Sequence, residues 1–405
     1  MKRGLAAAMS LAVLLCLLPL RVLAQAPEVG GKSVYLMDVA TGTTLGEFNA
    51  HEKLAPASVT KVMTMLLIME AVDSGKIGWE DTVTTSEAAA AKGGSQIYLK
   101  VGEQMTVRDM MKSIAVSSAN DCACAMAEHL AGSEAAFVQQ MNQRAQELGM
   151  ADTHFVNCTG LDDGEEAREH RTSAHDIALM SRELLKNHPD VRQFTTIWMD
   201  TVRQGAFGLS NTNKLIRFYP GATGLKTGFT SGAGYCLSAS AQRDGMELVA
   251  VVMGADSSKT RFNACKQLLD YGFANFALVQ PDICDTPAVT VELGTAKTVS
   301  PQLGEDGTLL VEKSLRSTVT AQVELEETVE APVHQGQRLG TLTYRSGEQI
   351  LRQIPLVPSR RCPGSAGSRC LGRCSGGLPW QRNNRFLPGR IAFPGKICYS
   401  DIIME

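Results

Sequence analysis

The sequence is poor in aromatic residues: Phe, Trp and Tyr make up 5% of its 405 residues. It also lacks an excess of either charge sign, with 39 Lys and Arg against 42 Asp and Glu and a formal net charge of −3. A nucleic-acid binder needs a basic field for phosphates and often aromatic faces for bases. That class is set aside, and no nucleic-acid partner is expected. No long apolar run follows the one at the N-terminus. The histidines lack metal-ligand spacing: His170 and His175 are five apart, not the i, i+4 of a helical zinc motif. The reading is therefore no metal and no cofactor.

What is present is a globular composition, 44% hydrophobic and 20% charged, in a chain long enough for two domains plus processing segments. Residues 1–26 read as a secretory signal peptide. "MKR" is the positive start, "GLAAAMSLAVLLCLLPL" the apolar stretch, and Ala24 and Ala26 give A-x-A spacing. Cleavage after Ala24 fits better than after Ala26, where Pro27 would follow the cut. The alternative is an uncleaved N-terminal anchor, and either way the protein is exported. Export permits disulfides without requiring them. Cys122 and Cys124 sit two apart in a helical pattern, face different directions, and read as small core residues.

Along the chain, "KSVYLMDVATGTTLGEFNA" predicts two strands around a turn, and 58–75 predicts an apolar helix stopped by Gly75. Helical patterns follow over 106–131, broken at "SSAND", and over 133–149 and 173–188, the last with Ser173 as N-cap and Pro189 as stop. Strand patterns return over 221–254, and "SKTRFNACKQLLDYGFANF" closes with a helix. The predicted unit, 27–282, has helices inserted between an N-terminal hairpin and C-terminal strands of one sheet. Residues 283–357 alternate with Gly and Asp turns, predicting a sandwich-like all-β domain of about 70 residues with no cluster resembling a site. Residues 358–405 are rich in Arg, Gly, Cys and Pro without a period. They read as a disordered basic tail or as out-of-frame translation replacing a natural end.

Three short stretches carry the chemistry. "SVTK" puts Lys61 three residues after Ser58, one helical turn away on the same face. A serine hydroxyl needs a base to act as nucleophile, and a lysine serves only where burial or a neighbouring cation keeps it neutral. Alone, the pattern is weak, and a snorkelling lysine behind an N-cap serine is the better reading of it. "SSAND" offers Ser118 and Asn120 at a helical break. "LKTGF" offers Lys226, Thr227 and Gly228 at a strand edge, where an extended peptide can pair and glycine admits close approach. Together, S-x-x-K, S-x-N and K-T-G in this order form the set found in penicillin-binding proteins and class A β-lactamases.

On these motifs, and on "GLDDGE", "SAHDIALMSREL" and "TRFNACKQLLDYGF", residues 30–357 resemble the serine-type D-alanyl-D-alanine carboxypeptidases, the low-molecular-mass penicillin-binding proteins. The resemblance implies an α/β penicillin-recognising domain, its antiparallel sheet flanked by helices, followed by a small β-sandwich. It implies Ser58 as acylated nucleophile, Lys61 as base, Ser118 and Asn120 as proton relay and peptide holders, and Lys226 as electrostatic bias. Thr227 and Arg261 would meet the substrate carboxylate. The backbone N–H groups of Ser58 and Phe229 would form the oxyanion hole. For Arg261 the alternative is a surface ion pair. The implied partners are a peptidoglycan stem peptide ending in D-Ala-D-Ala and β-lactams as covalent inhibitors. Members usually carry a C-terminal amphipathic helix that ties them to the membrane. The tail here lacks that pattern, which leaves membrane attachment doubtful. Two rivals remain: a β-lactamase, whose only acid-rich candidate region is "EEAREH" at 165–170, and a catalytically silent wall-binding protein.

Overall fold

A computed structural model describes residues 27–283, 285–360 and the strand 390–398. The signal-peptide reading of 1–26 lies outside the described residues. The first layer is a five-stranded antiparallel sheet. Its strands are β1 (Ser33–Asp38), β2 (Thr44–Phe48), β3 (Ala222–Thr230), β4 (Gly234–Arg243) and β5 (Met246–Ala255), in the order β2-β1-β5-β4-β3. The predicted N-terminal hairpin and C-terminal strands therefore do share one sheet, with β3 at its edge.

Side chains alternate across a strand, so each strand feeds two cores. Tyr35, Met37, Val249, Val251 and Met253 face one apolar cluster. Val34, Leu36, Leu248, Ala250 and Val252 face the other. The first cluster is covered by α1 (Lys61–Asp73), α2 (Val107–Ser117), α3 (Asn120–Ala131), α4 (Glu134–Glu147) and α5 (Ala174–Asn187). The second is covered by α6 (Ser258–Asn275). Helix starts follow their caps: Thr106, Ser133, Ser173 and Ser257 each accept a backbone N–H with the side-chain oxygen. α1 is apolar nearly all round because it is central: Val62, Met63, Met65, Leu66, Ile68 and Met69 are 0% exposed. Each such burial contributes about 1.5–3 kcal/mol, which offsets the cost of burying Lys61 on the same helix.

The described residues beyond α6 build a β unit with its own core. Its main sheet is seven-stranded. It contains β6 (Phe276–Asp282), β7 (Leu309–Glu312), β8 (Val319–Glu326), β9 (Gly340–Ser346), β10 (Gln349–Pro358) and β11 (Arg390–Cys398), with the short strand Pro301–Leu303 at one edge. Two boundaries differ from the sequence reading. β6, placed there in the first domain, pairs with β7 and so belongs to the β unit. Part of the supposed structureless tail is a strand: β11 pairs antiparallel with β8 and with β6. Its segment has no alternating period, because backbone hydrogen bonds to flanking strands need no particular side chains.

Candidate active site

Ser58 does not open the long helix, as the sequence suggested. It lies in a 3-10 turn, Ala57–Thr60, that runs into α1 at Lys61. Lys61 Nζ donates to Ser58 Oγ at 3.0 Å and to the carbonyl of Thr159 at 2.8 Å. Thr64, one turn on, donates to the carbonyl of Cys158 at 2.7 Å. Segment 157–161 is thus the wall behind the lysine. Asn157 holds it by accepting the N–H groups of Thr159 and Gly160 and donating to the Leu161 carbonyl.

Burial, offset in part by Cys158 and Asp121, lowers the Lys61 pKa to about 7. Lys226, on β3, is pushed well below its usual range by burial first and then by the nearby cations Lys61 and Arg261. Burial therefore supplies the neutral amine at Lys61 that a serine nucleophile requires. Lys226 Nζ donates to the Thr227 carbonyl at 2.9 Å.

β3 approaches the Ser58 turn through Gly228. A Cβ built there would lie 2.7 Å from the Pro56 carbonyl oxygen and 3.1 Å from the Ser58 nitrogen. The glycine was expected to admit substrate; its observed contact is with the chain's own Pro56–Val59 turn. The Thr227 hydroxyl donates to Thr212 Oγ1 at 2.7 Å. Thr212 N–H in turn bonds the Val116 carbonyl at 3.2 Å, near the end of α2.

Ser118 caps α2 in the left-handed conformation, φ 63°. Asn120 opens α3 and donates to the Gly93 carbonyl at 2.7 Å. The predicted break at "SSAND" is this junction. Ser118 Oγ and Asn120 Oδ1 are buried without a hydrogen-bond partner. Orphaned buried polar atoms cost about 1–3 kcal/mol each, so two at one helix junction mark positions that a ligand can satisfy.

The side chain of Phe229 is 54% exposed and stacks on Tyr235, with ring centroids 4.3 Å apart. Arg261 is 7% exposed, and its guanidinium donates to the carbonyls of Gly228 at 2.8 Å and Cys236 at 3.2 Å. The surface ion-pair alternative is thereby excluded. Arg261 Nε has no partner. Within "EEAREH", Glu165, Glu166 and Glu169 are exposed, and the member that reaches the Ser58 turn is His170, through Thr60 at 2.8 Å. Sequence reasoning missed Thr60, Thr159, His170 and Thr212. Only Thr60, inside S-x-x-K, carried a local signal.

Among the described residues, Glu70, Glu183 and His188 stand close enough to share a metal ion. Arg144 already pairs with Glu70 at 2.7 Å and Glu183 at 2.6 Å. That charge balance explains the cluster as an ion-pair network. Glu70 also stands nine residues along α1 from Lys61, about 13 Å away at 1.5 Å per residue.

A family model described as D-alanyl-D-alanine carboxypeptidase matches residues 21–257, and one described as penicillin-binding protein 5, C-terminal domain, matches residues 285–363. The chain is 42% identical over 332 residues to the D-alanyl-D-alanine carboxypeptidase DacF of Bacillus subtilis (strain 168), covering 80% of this chain and 84% of that one. It superposes on penicillin-binding protein 5 from Haemophilus influenzae with a TM-score of 0.72 at 30% identity, over 84% of this chain and 99% of that one. Penicillin-binding protein D2 from Listeria monocytogenes in its ampicillin-bound form is similar at TM-score 0.56 and 32% identity, over 61% of this chain and 100% of that one.

Proposed function

The chain belongs to the D-alanyl-D-alanine carboxypeptidase family, and from that premise we propose that it removes the terminal D-alanine of peptidoglycan stem pentapeptides through an acyl-enzyme on Ser58. The observation that carries this reading is the pair itself: a fully buried lysine 3.0 Å from a serine hydroxyl, with its pKa lowered to about 7. Neutral Lys61 takes the Ser58 proton as Oγ attacks the carbonyl between the two D-alanines. The N–H groups of Ser58 and Phe229 receive the developing oxyanion. The C–N bond breaks, the departing amine takes a proton, and D-alanine leaves. Water then cleaves the ester and restores Ser58.

The other side chains divide the remaining work. Ser118 and Asn120, with unpartnered oxygens, relay the proton to the leaving amine and hold the peptide. Thr227 meets the terminal carboxylate. Lys226 biases the electrostatics beside Lys61, and Arg261 keeps that end of the cleft positive through the Gly228 carbonyl. The free edge of β3 receives the peptide backbone as an added strand. β-Lactams acylate the same serine. The enzyme works on exported wall material, and the β unit serves as a spacer or docking module. No helix among the described residues is long and apolar enough to cross a membrane.

D-Alanine release from a pentapeptide ending in D-Ala-D-Ala, measured for the parent and for Ser58→Ala, tests the proposal. Release by the parent alone supports it. A folded parent that releases nothing overturns it. Penicillin separates the rivals: a carboxypeptidase holds a persistent acyl-serine, a β-lactamase turns the drug over, and a silent wall-binding protein does neither.

A further inference from the structure

Behind the Ser58 turn lies a buried ring that the acyl-transfer scheme does not use. His170 follows the short helix Glu166–Glu169, is 3% exposed, and packs edge-on against Phe155 with centroids 5.6 Å apart. Its tautomer is determined by its partners. The Val156 N–H reaches His170 Nδ1 at 3.1 Å. An N–H can only donate, so Nδ1 is the bare acceptor and the ring hydrogen sits on Nε2. Nε2 faces Thr60 Oγ1 at 2.8 Å, and the Thr60 hydroxyl donates to the Ala57 carbonyl at 2.8 Å. The chain of hydrogen bonds therefore runs one way, from Val156 through His170 and Thr60 to Ala57. Burial first, then His154, Arg171 and Lys61, lower the ring's pKa to about 4 and keep it neutral in this tautomer.

The end of that chain matters because of peptide geometry. The carbonyl of Ala57 and the N–H of Ser58 belong to one planar trans unit and point in opposite directions. A hydrogen bond that pins the carbonyl oxygen therefore aims the N–H. It also polarises the same unit, strengthening the N–H as a donor. The pin has strain to hold: Ala57 has φ +48°, in the left-handed region that a residue with a Cβ rarely adopts. The fit is close. A Cβ built on Gly160 would lie 1.8 Å from the Ala57 oxygen and 2.7 Å from Thr60 Oγ1.

We propose that His170, acting through Thr60, is a positioning residue that aims the Ser58 N–H at the oxyanion of the acylation step. This rests on the reading of Ser58 as nucleophile. The test is single-turnover acylation by a chromogenic penicillin, with kcat and KM on the pentapeptide, each normalised to folded protein by circular dichroism. Thr60→Val, nearly isosteric, and His170→Leu are each expected to slow acylation ten- to a hundredfold, with KM within about twofold, since one weakened oxyanion donor costs less than its outright loss. Thr60→Ser, which keeps the hydroxyl, is expected to recover most of the rate. The double variant should be no slower than the slower single, because both break one chain. Wild-type acylation rates in folded Thr60→Val, a lowered melting temperature without a kinetic change, or fully additive effects would each overturn the proposal. The near-isosteric Thr60→Val decides the matter if His170→Leu does not fold. An inactive wild type would instead remove the carboxypeptidase reading on which it stands.

Discussion

The two units of the chain bury different things. Around the Ser58 turn the interior holds Lys61, Lys226, Arg261 and His170, with Ser118 Oγ and Asn120 Oδ1 unpartnered. The core of the β unit is valine, leucine, isoleucine and Ala321 with Tyr344, and its other buried polar residues, among those described, are threonines. Its largest buried polar side chain, Tyr344, is satisfied by the Gly307 carbonyl at 2.8 Å. Burying a cation costs stability, and an apolar core of equal volume does not incur that cost. The contrast teaches where function sits: one interior is built to keep amines uncharged beside a hydroxyl, the other only to pack.

The strongest way to break the comparison is to remove the chemistry and leave the packing. Ser58→Ala is expected to lower D-alanine release by roughly a thousandfold or more. Mass spectrometry should find no penicillin adduct, while the melting temperature stays close to the parent's. Next comes a matched pair of glycines. Gly228→Ala forces a Cβ against the Pro56 oxygen at 2.7 Å, and Gly340→Ala forces one against the Glu324 oxygen at 2.2 Å. Each is expected to cost about 1–3 kcal/mol in denaturant unfolding. Only Gly228→Ala should also depress penicillin acylation, by tenfold or more per folded molecule.

The pH dependence sharpens the same contrast. Lys61 works as a base in its neutral form, and its pKa is lowered to about 7. Acylation should therefore rise as pH climbs through about 7 and level off above it, falling about tenfold per unit below. A stopped-flow pH profile with a midpoint near an ordinary lysine value would contradict this. The smallest effect is expected in the β unit. Tyr344→Phe removes the bond to Gly307 and should cost about 1 kcal/mol in urea unfolding, with kcat and KM unchanged.

Much of this was legible in the residues alone. Ser173 was read as an N-cap and does accept the Asp176 N–H. The short apolar runs "VYLM" and "ELVAVV" announced strands, and both lie in the central sheet. S-x-x-K was legible because its two members are neighbours on one turn. The surroundings of that pair were not. Thr159 comes from 98 residues away, and His170 from 110 residues beyond Thr60. No periodicity links such positions. The glycine of K-T-G was visible, but its contact with Pro56 needed β3 to be placed against the Ser58 turn. β11 escaped notice because its pairing partners, β8 and β6, supply the order that its own pattern lacks.

By itself the sequence determined the local elements, the helix caps, the motif set and hence the family. These depend on residues within a turn or a strand of one another. Only the tertiary structure decided the charge on Lys61, the tautomer of His170, the burial of Arg261 and the strand position of Arg390–Cys398. A pKa, a tautomer and an edge pairing are set by desolvation and by partners brought together from distant parts of the chain, and those exist only once the chain has folded.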